Sequence, residues 1–188
     1  MRVPSLNDFI QKNIFLSTFI VAMTLPVMSF AAESWTQWRG PQQNGVASGE
    51  TYPREWNEQR GVAWKSPIPG SGGSTPVVSN NLAFVTSGNQ EKNTLLAYNI
   101  NDGSIQWTLN VGADRGGKHK KGSGSNPSAV VDGDLVYAYF RSGDLACATK
   151  DGKLVWQTNL QKEFGEDTLW WDLGSSPTLT QDSVIVVV

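Results

Sequence analysis

The chain has 188 residues, 17% of them charged and 39% hydrophobic, with 19 Gly, 9 Pro, 8 Trp, one Cys and one His. Its formal net charge of −2 lacks the basic excess that nucleic-acid binding leaves in a sequence. A lone Cys147 excludes an intrachain disulfide and a multi-cysteine zinc site, and a lone His119 excludes multi-histidine metal sites within this stretch.

Residues 1–31 read as a secretory signal peptide. Arg2 and Lys12 flank a polar start, Ile14 to Leu25 is an apolar run, Pro26 breaks it, and Ser29-Phe30-Ala31 offers small residues at −3 and −1. The run is shorter than the roughly 20 apolar residues a membrane span requires. No membrane span is expected after cleavage, and no cysteine near the site offers a lipid anchor. The expectation is an exported, weakly acidic protein, periplasmic or extracellular.

Residues 32–61 form a lead-in, opening with Trp35-Thr36-Gln37-Trp38-Arg39-Gly40-Pro41. From residue 62 onward the chain repeats. Gly73-Ser74-Thr75-Pro76, Gly124-Ser125-Asn126-Pro127 and Gly174-Ser175-Ser176-Pro177 recur with prolines 51 and 50 residues apart. A second marker runs in phase: Leu96-Ala97-Tyr98 through Asp102-Gly103 to Trp107 matches Leu145-Ala146-Cys147 through Asp151-Gly152 to Trp156.

Each unit reads as four short strands. In the first these are Pro76–Val78, Leu82–Thr86, Thr94–Asn99 and Ile105–Leu109, with Asn80-Asn81 and Asp102-Gly103 as turns. The second repeats them at Ser128–Val131, Leu135–Phe140, Asp144–Ala148 and Leu154–Asn159. Proline opens each unit at a strand start, where its missing N–H matters least. No segment after residue 31 shows a helical apolar period.

Four antiparallel strands per fifty residues is the pattern of a β-propeller blade, which predicts an all-β chain. The blades span about 74–110, 125–160 and 175–188, the last truncated. Trp107 and Trp156 are read as wedges on the outermost strand, each packing with the glycine of the turn before it, Gly103 or Gly152. Trp64 fits the same strand position, so Val62–Lys65 is expected to be a closing strand that completes the last blade of the ring.

These markers resemble the propeller repeat of the pyrroloquinoline-quinone (PQQ) family, over residues 62–188, and the lead-in looks like that of exported bacterial members. The resemblance implies seven or eight blades, so roughly 350–400 residues in the whole protein, and a chain that is an N-terminal fragment. It is more distant from the propellers of the outer-membrane protein assembly factor, a lipoprotein. Quinone-dependent members carry an adjacent Cys-Cys pair, a Trp floor and Glu, Asn and Asp ligands for calcium. One cysteine cannot make that pair, and Asp102, Asp132 and Asp151 sit in turns where bonding to backbone explains them. No cofactor is expected; PQQ with Ca²⁺ is the alternative.

Two long connectors are candidate ligand-facing elements, because connectors share a face with the loops between second and third strands. Ala113–Gly124 carries Arg115, Lys118, His119, Lys120 and Lys121; Gln161–Gly174 carries Glu163, Glu166, Asp167 and Asp172 around Trp170-Trp171. The basic loop suits an anion or simply solvent, and the two loops, opposite in sign, suit pairing with each other. Trp170-Trp171 suits an aromatic wall for a sugar, peptide or quinone, or packing over the mouth. His119 has no sequence-level partner for nucleophilic catalysis, and Cys147, flanked by alanines on a strand, reads as a buried thiol.

The functional expectation is a non-catalytic envelope propeller that binds another envelope protein or a peptide. The alternative is a PQQ-dependent alcohol or sugar dehydrogenase whose remaining site residues lie outside this stretch.

Overall fold

The computed structural model describes residues 34–49, 52–89 and 91–188; the signal-peptide reading of residues 1–31 falls outside them. Two four-stranded antiparallel sheets follow one another along the chain. The first orders β1 (Val77–Ser79), β2 (Leu82–Gly88), β3 (Lys92–Asn99) and β4 (Ile105–Ala113); the second orders β5 (Val130–Asp132), β6 (Leu135–Tyr139), β7 (Asp144–Thr149) and β8 (Leu154–Asn159). A third unit begins with the pair β9 (Thr178–Leu179) and β10 (Val184–Ile185). These are propeller blades, each a meander whose neighbours in sequence are neighbours in the sheet. A single helical turn, α1 (Leu160–Phe164), follows β8. The apolar period missed it because it is a capping feature: the Asn159 side chain accepts the Lys162 N–H at 3.0 Å.

Burial follows strand position. The middle strands β2, β3 and β7 are buried nearly throughout, because each has a layer on both faces, while β4 and β8 on the outside are largely exposed. One face of the first blade (Val77, Phe84, Leu95, Ala97, Val111) packs against the second blade's Val131, Val136, Ala138, Phe140, Ala146 and Ala148. A fully buried side chain of the size of Phe84 contributes about 1.5–3 kcal/mol. On the other face of the first blade Val85, Leu96 and Tyr98 cluster with Ala83, and residues 64–71 run beside the blade. There Tyr98 Oη donates to the Pro67 carbonyl at 2.9 Å and Ser71 forms a two-bond bridge with Gly88.

The tryptophan markers join one unit to the next. Trp107 Nε1 donates to the Lys150 carbonyl at 2.8 Å, and its ring fills the space a Cβ on Gly152 would need. Trp64 does the same one unit earlier, donating to the Ile100 carbonyl at 2.7 Å with its ring over Gly103. This corrects the expected pairing of each Trp with the glycine of its own preceding turn. An outer-strand side chain points out of its blade, and the place over Gly103 is already held by Trp64. Val62–Lys65, expected to close the last blade, joins no ladder among the described residues, and Trp64 is docked as a wedge. Trp156 lies 40% exposed beside Tyr137, and the described residues include no third-unit counterpart of that turn.

The Gly-Ser-x-Pro marker stitches blades together where the inner strands start. Ser128 Oγ accepts the Thr75 N–H at 2.8 Å, and Ser176 Oγ accepts the Ser128 N–H at 2.9 Å. Thr86 Oγ1 on β2 donates to the Pro127 carbonyl at 2.8 Å.

Candidate functional site

The turn between β2 and β3, the turn between β6 and β7, and the connectors after β4 and β8 lie on one side of the blades. Asp114 N donates to the Glu91 carbonyl at 3.1 Å and Arg141 N to the Gly124 carbonyl at 2.9 Å, which ties loop to connector in each unit. This connector face holds Arg115, Lys118, His119, Lys120, Lys121, Trp170 and Trp171.

The basic and acidic connectors interlock. Asp172, whose side chain is only 6% exposed, accepts the backbone N–H groups of Lys118 and His119 and faces Arg141 Nε at 3.6 Å. That last contact is an ion pair rather than a hydrogen bond. Gly122 is required alongside, since a Cβ there would collide with Asp172 Oδ2. Lys118 Nζ reaches Asp167 Oδ1 at 2.6 Å and also donates to the Leu169 carbonyl. Burial raises the Asp167 carboxyl, but the Lys118 hydrogen bond and charge, with the Arg141 charge, outweigh it and hold the group below its ordinary value. Arg115 spans Gln161 Oε1 at 3.1 Å and Glu166 Oε1 at 2.9 Å. The Arg115–Glu166 pair is open to solvent and contributes about 0–1 kcal/mol; the partly buried clamps on Asp167 and Asp172 matter more.

Arg141 completes this rim. It donates to the Gly116 carbonyl at 3.0 Å and receives Gln161 Nε2 on its own carbonyl at 2.8 Å. Sequence reasoning passed over it because it sits in a tight turn, with Ser142-Gly143 as the visible signal.

With the acids turned inward, the aromatics are turned outward. Trp170 is 77% exposed and Trp171 51%, with ring centroids 4.3 Å apart and His119 edge-on to Trp171 at 5.5 Å. Leu169 and Phe164 are exposed nearby in sequence. Lys120 and Lys121 are exposed and form no ion pair among the described residues. His119 Nδ1 accepts the Lys121 N–H at 3.2 Å, while Ser123 hydrogen-bonds Asn126 and Ser125 is fully buried, so these residues form no nucleophile–base pair.

Cys147 is fully buried on β7; burial pushes its thiol up, partly offset by a hydrogen bond from Tyr137. Asp102 and Asp151 serve their turns, Asp102 accepting the Ser104 N–H at 2.9 Å and Asp151 bonding Thr149 and Lys153. Among the described residues no group of three or more His, Cys, Asp or Glu could hold a metal ion. Cys147 is the one cysteine of this stretch and is enclosed, so these residues do not supply the adjacent cysteine pair that the resemblance implies for a quinone site.

A profile of the family described as outer membrane protein assembly factor BamB matches residues 44–188. The chain belongs to that family. The BamB of Yersinia pestis is 29% identical over 104 residues, which is 55% of this chain and 25% of that protein. Among solved structures, BamB from Moraxella catarrhalis is 17% identical with a TM-score of 0.47, over 63% of this chain and 35% of that chain. A quinohemoprotein alcohol dehydrogenase from Pseudomonas putida HK5 is 19% identical with a TM-score of 0.48, over 66% of this chain and 18% of that one. The chain thus spans a minor part of each relative. No described helix is long and apolar enough to cross a membrane.

Proposed function

We propose that the protein is an exported β-propeller of the cell envelope that docks another envelope protein on its connector face and carries out no chemistry itself. One observation supports this reading above others. In the 167–172 segment the acids are enclosed and the two tryptophans stand in solvent, the reverse of a loop selected for solvation. Paired Trp side chains on a backbone held by Asp167 and Asp172 offer large contact area at small ordering cost, as interface hot spots do. Lys120 and Lys121 in the adjoining connector favour a partner surface of negative charge. Family membership is consistent with an envelope protein partner.

The test is site-specific photocrosslinking in cells from position 170 of the full-length protein. The reading expects one predominant envelope-protein adduct, lost in the Trp171→Ala, Lys120→Glu variant and retained in Trp38→Ala. No adduct, or one indifferent to these changes, overturns it. The same reading expects PQQ with Ca²⁺ to leave the thermal unfolding midpoint unchanged; a clear rise would favour a quinone oxidoreductase.

A further inference from the structure

The lead-in does more than precede the propeller. Trp35 pairs antiparallel with Val78, donating to its carbonyl and accepting its N–H, both at 2.8 Å. One residue on, the Thr36 carbonyl accepts the Val131 N–H at 2.8 Å. Val78 and Val131 belong to β1 and β5, the first strands of their sheets, each of which pairs in its own blade only with the next strand and so leaves its inner edge to the lead-in. Two consecutive lead-in residues therefore bridge the inner edges of two blades. Antiparallel to β1, the chain then runs toward the connector face, where Gln37, Trp38, Arg39 and Gln43 form one wall of a cavity of about 500 Å³ whose other wall is Gly174–Thr178 at the start of the third unit.

The turn after this crossing is built to stay in place. Arg39 and Gln43 hold left-handed backbone (φ 64° and 55°), as do Gly40 and Gly45. Gly45 N donates to the Arg39 carbonyl at 2.8 Å, and the Trp35 ring lies over Gly40, where a Cβ would be 2.7 Å from it. Non-glycine residues persist in that region only where the surroundings determine it. Open strand edges accept an extended chain readily, by backbone pairing that demands little of side chains.

We propose that the inner edges of the blades form a strand-accepting site at the axis, and that residues 34–45 of this chain are its resident peptide, lacing the blades together and closing the axial opening on the connector face. The site is separate from the tryptophan rim, and either can fail without the other.

Residue-resolved hydrogen exchange on the full-length protein tests it. The amides of Val78 and Val131 exchange slowly in the wild type. In Gly40→Val, where the Trp35 ring is displaced, both speed up by about tenfold or more while Val85 and Leu96 do not. In the full-length protein lacking residues 34–45, a synthetic peptide of that sequence binds and restores protection at both amides. Rapid exchange of both in the wild type overturns the proposal even if no variant folds. So does unchanged protection in Gly40→Val, or failure of the peptide to bind a folded deletion variant.

Discussion

Trp107 of one blade closes over Gly152 of the next, its indole N–H bonded to the Lys150 carbonyl at 2.8 Å and its ring 2.8 Å from where a Cβ would stand. The same relation links Trp64 to Gly103. Gly152 has φ 87° and Gly103 φ 71°, so each is required twice over: for the turn, and for the ring it admits.

Gly152→Val is therefore expected to destabilise the protein by about 2–4 kcal/mol, from left-handed strain on a β-branched residue together with the lost indole contact. Gly133, with φ 52° but no atom within 4 Å of its Cβ position, is the control: Gly133→Asn suffers only the mild strain of that region, about 1 kcal/mol or less. Urea unfolding of both variants beside the wild type measures the difference.

Asp172 is expected to be the costliest rim carboxylate to remove. Asp172→Ala strips partners from two backbone N–H groups and from Arg141, and a loss of about 3 kcal/mol is expected; Glu166→Gln, at an open pair, changes stability by less than about 1 kcal/mol. The two midpoints in one denaturant series decide this.

The Asp167 clamp sets an acid limit on the rim. Its folded carboxyl titrates below its ordinary value of 3.8, so its stabilisation is complete above that value. It is lost as pH falls through the lower folded value. Trp fluorescence titrated downward from pH 5 should show a rim transition below pH 4. In Asp167→Asn this step should vanish, because the group no longer titrates; persistence of the step would assign it elsewhere.

Much of this architecture is written locally. The Asp-Gly turns and in-phase tryptophans mark β3, β4, β7 and β8 because a hairpin is decided within a few residues. The opposing charge of the two connectors made their pairing one of the readings, and Lys118–Asp167 and Arg115–Glu166 are the pairs that realise it. Other features had no such signal. The axial crossing uses the backbone of Trp35 and Thr36, which any residue supplies, and Arg141 reaches Asp172 from a turn chosen for its shape. The outward aim of Trp170 and Trp171 depends on which neighbours bury the acids beside them, a tertiary matter.

Cys147 should be inert until its blade opens. Its thiol is raised by burial, so a disulfide reagent at pH 8 is expected to modify it no faster than global unfolding allows. Tyr137→Phe removes the one hydrogen bond that lowers the thiol and should slow reaction further wherever local opening contributes. Fast labelling of the native protein would contradict the burial of Cys147 on β7.

The bond from Val131 to Thr36 joins residues about a hundred positions apart, and it sets an order of events in folding. Residues 35 and 36 are synthesised first among these elements, yet the edges that receive them exist only after β1 and then β5 have been made. The segment must wait, unpaired, through the formation of two blades. Its seating is a late, non-local step of the kind that slows high-contact-order chains, and mutations there should speed unfolding while leaving the early folding rate almost untouched.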